Sequence, residues 1–287
     1  MYIDFSSKPP TPEFQDQGSH MANYNHVYER SKSAVASARE SSDATLLAQY
    51  LDVYEHTGAK HVILKGRDLE STYGFKVSNE DVAAFCMQHG PRYIGYAGID
   101  PHKGMAAVRD LEHAVKNLGM RGCNLPCFEL KLAINDPRMY PIYAKCIELN
   151  IPAVVHCGVN FSTTSPIRNS HPQLLDDVMV HFPELRVIAA PPGWPWVQEL
   201  ISVAWRHRNV YIALAAVRPK YLATPNSGYE SLLQYGTTVL KDRVIFGSAF
   251  PLMPVTQALD DIQALPMSDE IRCKWLHDNA VRALGLV

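Results

Sequence analysis

One alternation runs the length of this chain. A short apolar run is followed by a longer stretch whose apolar residues recur three and four apart, and the pair repeats. Short runs with period-two exposure suit strands, and a spacing of 3.6 suits helices, so each repeat predicts a strand and then a helix. Strands are expected at Tyr2–Ser6, His61–Lys65, Tyr93–Ile99, Arg121–Leu125, Ala153–Cys157, Arg186–Ala190, Val210–Leu214 and Val244–Gly247. Helices are expected at Ala44–His56, Asn79–His89, Met105–Leu118, Pro137–Leu149, Pro172–His181 and Trp196–Arg206, with Ser42 and Ser78 as helix starts. Eight such units in 287 residues predict an α/β fold, a single parallel (β/α)8 barrel covering 1–287. A doubly wound open sheet is the runner-up, without the GxGxxG or GxxxxGK[ST] loop that its nucleotide-binding members use. The polar segment from about 9 to 40 is too long for an ordinary strand-to-helix loop. It predicts a lid or cap insertion, or a surface excursion, after the first strand.

Composition narrows the class. Hydrophobic residues are 47% and charged residues 20%, as in a chain that folds around a core. A net charge of -2 argues against nucleic acid or an anionic membrane as the principal partner. The cysteines Cys86, Cys123, Cys127, Cys146, Cys157 and Cys273 form no CxxC pair and read as thiols of a reducing compartment. With no basic, apolar leader and no long apolar span, a cytoplasmic location is expected.

In a barrel of this kind chemistry sits at the C-terminal ends of the strands. Those ends here are Ser6-Ser7-Lys8, Lys65-Gly66-Arg67-Asp68, Asp100-Pro101-His102, Asn124-Leu125-Pro126, His156-Cys157-Gly158-Val159-Asn160, Pro191 to Trp196, Arg218, and Ser248-Ala249-Phe250-Pro251.

These ends, with the stretches YID, RYIGYAGIDP, NDPRMYPIYAKCIELNIPAVVHCG, HFPELRVIAAPPGWPWVQE, NVYIALAAVRPKYL, VIFGSAFP and LHDNAVRALGL, carry a resemblance. The chain resembles the amidohydrolase superfamily, in the branch of aminocarboxymuconate-semialdehyde and resorcylate decarboxylases. The resemblance implies a metal on two His after strand 1, a His on strand 5, a His after strand 6 and an Asp after strand 8. The corresponding residues are Ser6, Lys8, His156, Pro191 and Ala249, so one ligand of five remains. A lone imidazole and a hydroxyl do not hold a divalent cation, and an ammonium repels one. No metal and no cofactor are therefore expected.

The emptied site reads in two main ways. As a metal-independent lyase, it would use Lys8 in place of the metal charge and His156 as general acid or base. Decarboxylation, hydration or carbon–carbon cleavage of a small carboxylated or phenolic compound would be its chemistry. Substrate contacts are expected from Ser6, Arg67, Asn124, Asn160, Arg168, Trp194 and Arg218, the arginines for carboxylates and Trp194 for an aromatic wall. Trp196 fits packing better, and Cys157 should face away from His156 as a buried thiol. The bland reading is a non-catalytic barrel that binds a ligand or a partner protein. A metal-dependent hydrolase with a rebuilt site is the third. The expected partners are a small-molecule substrate and a second copy in a homodimer.

Overall fold

The computed structural model describes residues 1–15 and 43–286. Eight strands form one sheet: β1 (Tyr2–Ser7), β2 (Ala59–Lys65), β5 (Tyr93–Gly98), β6 (Cys123–Leu125), β7 (Ala153–His156), β8 (Val187–Ala190), β9 (Val210–Ala213) and β10 (Val244–Ile245). They lie in chain order, and every adjacent pair is parallel. The ring closes where Phe5 N donates to Phe246 O at 3.1 Å and Ser7 bridges Phe250 in parallel. A helix follows each of these strands, from Asp43–His56 after β1 to Val255–Gln263 after β10. The expected (β/α)8 barrel is what the chain forms.

Alternation along each strand sorts the side chains into two cores. Val62 and Leu64 of β2 pack outward against the helices, while Ile63 points into the lumen with Ile3, Phe5, Tyr96, Val154, Ile188 and Ile245. The lumen is a packed interior, as in other barrels of this size, and the strand ends above it are where side chains from several strands converge.

Three local departures from the sequence reading have simple causes. A small antiparallel hairpin, β3 (Arg67–Leu69) with β4 (Phe75–Val77), follows β2 and is too short to show alternation. The helices Glu230–Gly236 and Val255–Gln263 were not expected, the first being only 7 residues long and ending at a glycine. Strand β6 starts at Cys123 rather than Arg121, with Gly122 beneath the Tyr96 ring. The helix start at Ser78 holds, its Oγ accepting from Asp81 N at 3.0 Å. Ser42 and most of the expected insertion lie outside the described residues. The part of that segment that is described ends in a turn at Pro12–Phe14, whose Phe14 ring meets Phe85 edge-on at 5.7 Å. Among the described residues no helix is long and apolar enough to cross a membrane.

Candidate active site

Strand β2 ends by turning Lys65 inward, two residues after the lumen-facing Ile63. Its Nζ stands 4.5 Å from the centre of the Phe5 ring. Among the described residues no carboxylate makes an ion pair with it. Burial lowers its pKa to about 8, and the negative charge of Asp4 opposes that shift.

Just beyond Lys65 the sheet opens. Gly66 N still donates to Tyr96 O at 2.8 Å, but the next rung is taken by side chains. Gly98 N donates to Asn79 Oδ1 at 2.8 Å, and Asn124 Nδ2 reaches across β5 to Gly66 O at 3.0 Å. Only glycine allows this crossing: a Cβ on Gly98 would lie 2.2 Å from Arg67 N and from Gly66 C.

His156 closes β7 and faces the same mouth, two residues past the lumen-facing Val154. Its Nδ1 lies 3.1 Å from Ser170 Oγ, and its ring meets Phe128 edge-on at 4.5 Å. Burial lowers its pKa to about 4, opposed by the charge of Glu129, so the imidazole is neutral at pH 7. Phe128 and Glu129 arrive together on the one-turn helix Cys127–Leu130. Glu129 is 3% exposed and pairs with Arg67 through both oxygens, the Nε–Oε2 contact being 3.1 Å and Nη2 closing on Oε1. Arg67 also lies over the Phe75 ring. The fork-to-fork pairing spans from β3 to the end of β6.

Behind the mouth, on the helix side of β1, Asp4 is fully buried and accepts four hydrogen bonds. They come from Ser248 N at 2.8 Å, Ser248 Oγ at 2.5 Å, Tyr54 Oη at 2.8 Å and Ser6 N at 3.2 Å. Burial raises its pKa and the hydrogen bonds draw it back down. Asp4 thereby fixes the ends of β1 and β10.

The expected site residues fall into three groups. Arg67, Asn124 and His156 stand at or just past the C-terminal strand ends: Asn124 bonds the Gly66 carbonyl, His156 meets Phe128, and Arg67, expected as a carboxylate contact, is forked onto Glu129. Asn160 is buried with both amide atoms unpartnered among the described residues, as a ligand-facing amide would be. Ser6 and Lys8 sit half-buried at the rim, with Lys8 N donating to Phe250 O at 3.0 Å. No described contact sets Lys8 opposite His156. Arg168 is exposed on the turn Ile167–Ser170, and Trp194 is 40% exposed on the loop after β8. Arg218 needs correction as an anion contact. Its guanidinium is forked onto the buried Asp261, with Nε–Oδ2 at 3.0 Å and Nη2–Oδ1 at 2.9 Å, which ties the loop after β9 to the helix Val255–Gln263. Trp196 packs on His171 at 4.4 Å, and Cys157 is a buried thiol whose pKa burial pushes up, both as expected. Sequence reasoning placed Lys65 at a strand end without a role and did not name Glu129. The inward phase set by Ile63 could have found the first, whereas nothing in a four-residue helix marks the second.

The resemblance implies five metal-ligand positions, and the residues standing at them do not fit a divalent cation. Ser6 offers a hydroxyl, Lys8 an ammonium and His156 an imidazole, while Pro191 and Ala249 offer no side-chain donor. Among the described residues no group of three or more His, Cys, Asp or Glu stands together to hold an ion.

Comparison with known proteins agrees with this architecture. The family model for amidohydrolases matches residues 68–286. A gamma-resorcylate decarboxylase of Rhizobium radiobacter is 22% identical over 252 residues, which cover 73% of this chain and 75% of that protein. An uncharacterized TIM-barrel protein, Bb4693 of Bordetella bronchiseptica, superposes with a TM-score of 0.81 at 28% identity, covering 99% of this chain and 98% of that one. A 5-carboxyvanillate decarboxylase of Novosphingobium aromaticivorans, solved with manganese and a nitrobenzoic acid, superposes with a TM-score of 0.69 at 16% identity, covering 100% and 96%. The family match takes in His156, Pro191 and Ala249 and begins after Ser6, Lys8 and Lys65.

Proposed function

The chain belongs to the amidohydrolase family, and from that premise we propose that it is a lyase that decarboxylates a small aromatic carboxylate at the barrel mouth without a metal. The observation that carries this reading is His156, a neutral imidazole facing the mouth between an aromatic ring and a set of fixed charges. Two relatives are named as decarboxylases of aromatic acids, which supports the substrate class. The donor set at the five ligand positions supports the absence of a metal, although the Novosphingobium structure contains manganese.

The chemistry asks little more of the protein than placement and one proton. A C–H bond forms at the ring carbon that bears the carboxylate. The C–C bond to that carboxylate then breaks, its electrons restore the ring, and CO2 leaves. With Nδ1 engaged by Ser170, Nε2 of His156 is the atom that holds a substrate hydroxyl and passes a proton toward the ring. Phe128 supplies flat apolar surface against an arene. Asn124, Asn160 and the Arg67–Glu129 pair complete the lining. The reading includes a small-molecule substrate, a homodimer and a cytoplasmic location, in keeping with the net charge of -2.

The test uses protein stripped with a chelator and presented with hydroxylated benzoates, 2,6-dihydroxybenzoate and 5-carboxyvanillate among them, while CO2 and arene are measured. Turnover is expected without added metal, and His156→Asn should lower kcat/KM by roughly a hundredfold or more. Activity that vanishes on chelation and returns with manganese refutes the metal-free part. If no hydroxylated benzoate loses CO2, the lyase reading fails. The non-catalytic barrel, which the donor-free Pro191 and Ala249 favour, then takes its place.

A further inference from the structure

Two cations project from the end of β2 and the residue just past it, and the fold treats them differently. Arg67 has its counter-ion built in, the buried Glu129. Lys65, two residues earlier and half-buried at the top of the lumen, has none among the described residues. Among the described residues its neighbours are these. From β1 comes the Phe5 ring at 4.5 Å. From β5 comes Tyr96, which itself meets Phe5 edge-on at 6.0 Å. From β6 comes Asn124, whose amide is held on the Gly66 carbonyl next to Lys65. Above stand the Arg67–Glu129 pair, internally neutral, and His156, uncharged at pH 7. Among the described residues the negative charge felt at Lys65 is that of Asp4, which points to the opposite side of β1, where Tyr54 and Ser248 hold it. A cation kept in a low-dielectric lumen without an anion is unfavourable, and a ligand that brings the anion relieves the penalty. A fixed charge placed before the ligand arrives is also what binds an anion most effectively.

We propose that Lys65 is the substrate-contacting cation of this site: its ammonium receives an anionic oxygen of the substrate, so the mouth selects aryl anions over neutral arenes. This rests on the aromatic-acid reading above and shifts the role of the site's cation from Lys8 to Lys65. The lowering of its pKa to about 8 by burial agrees with this, because an anion bound beside the ammonium would offset that burial penalty.

Calorimetry on the full chain tests this with 2,6-dihydroxybenzoate, benzoate and the neutral resorcinol, for wild type, Lys65→Met and Lys65→Arg. At pH 7 wild type should prefer each carboxylate to resorcinol by about tenfold or more, the value of one charge-assisted contact. Lys65→Met should lose that preference and bind resorcinol within about twofold of wild type, while Lys65→Arg keeps part of it. In unmodified protein carboxylate affinity should fall as pH rises through 8, which decides the matter even if Lys65→Met does not fold. A wild type without preference, a preference that survives in Lys65→Met, or an affinity flat from pH 7 to 10 overturns the proposal. Preference without CO2 release would sink the decarboxylase reading alone. CO2 release with binding indifferent to Lys65 would sink this one alone.

Discussion

Glu129→Gln removes one charge from the only ion pair that links the hairpin after β2 to the turn after β6, among the contacts described above. Glu129 has 4% of its side chain exposed and Arg67 15%, so the substitution leaves a nearly buried guanidinium facing a neutral amide. Breaking a buried pair on one side costs about 3–5 kcal/mol. Arg67 retains some access to water and its contact with the Phe75 ring, which places the loss near the lower end, about 3 kcal/mol. At roughly 2–4 °C per kcal/mol, the melting temperature should fall by about 6–12 °C. Circular dichroism melts at pH 7 read this directly, with urea titration as the second measure. The double variant Arg67→Met, Glu129→Leu should recover most of the loss, because it removes both charges and leaves neither stranded. A Glu129→Gln protein that melts within about 3 °C of wild type would refute the argument. Arg67 would then be swinging into solvent at little cost, and the pair would not brace the mouth.

Two further outcomes follow from the same geometry. His156 titrates near 4 in the fold and near 6.5 unfolded, so the unfolded chain binds more protons between those values. Its contribution is complete above pH 6.5 and is lost as pH falls toward 4, by up to about 3 kcal/mol. Urea midpoints at pH 7 and pH 4.5 should show a fall in wild type that His156→Asn flattens, and equal slopes in the two proteins would disprove the assignment. Gly98→Ala forces a methyl to within 2.2 Å of backbone atoms of Gly66 and Arg67. Backbone cannot rotate aside as a side chain can, so the loss should reach at least the upper end of the usual overpacking range, about 3 kcal/mol, with the Asn124–Gly66 bond broken. A Gly98→Ala protein as stable as wild type would mean the strand ends part without penalty.

The barrel is legible in the sequence because period two and period 3.6 alternate so regularly that nearly every strand can be placed within two residues. The short elements escape for the same reason, since three or four residues carry no period. Residues on strands were readable one by one: His156 lies where its phase puts it, and Cys157 faces away from it. Residues on loops were not. Arg218 stands at the right height for an anion contact, yet its partner Asp261 lies 43 residues later on a helix, and nothing local announces the pair. Lys8 attracted attention because its position stands out against relatives, while Lys65, on a plainly readable strand, did not.

The Asp4 clamp carries a consequence for how the chain reaches this shape. Asp4 and Ser248 are 244 positions apart, and their bonds seal the ring. During synthesis β1 emerges first and acquires β2 early, but its other edge stays bare until β10 and Ser248 have left the ribosome. Until then Asp4 lacks the two bonds from Ser248 that hold it in the closed ring. The last act of folding is then the burial of that carboxylate, and long-range closures of this kind are the slow ones. Burial raises the pKa of that carboxyl, so conditions that neutralise Asp4 should favour the sealed ring over the open one.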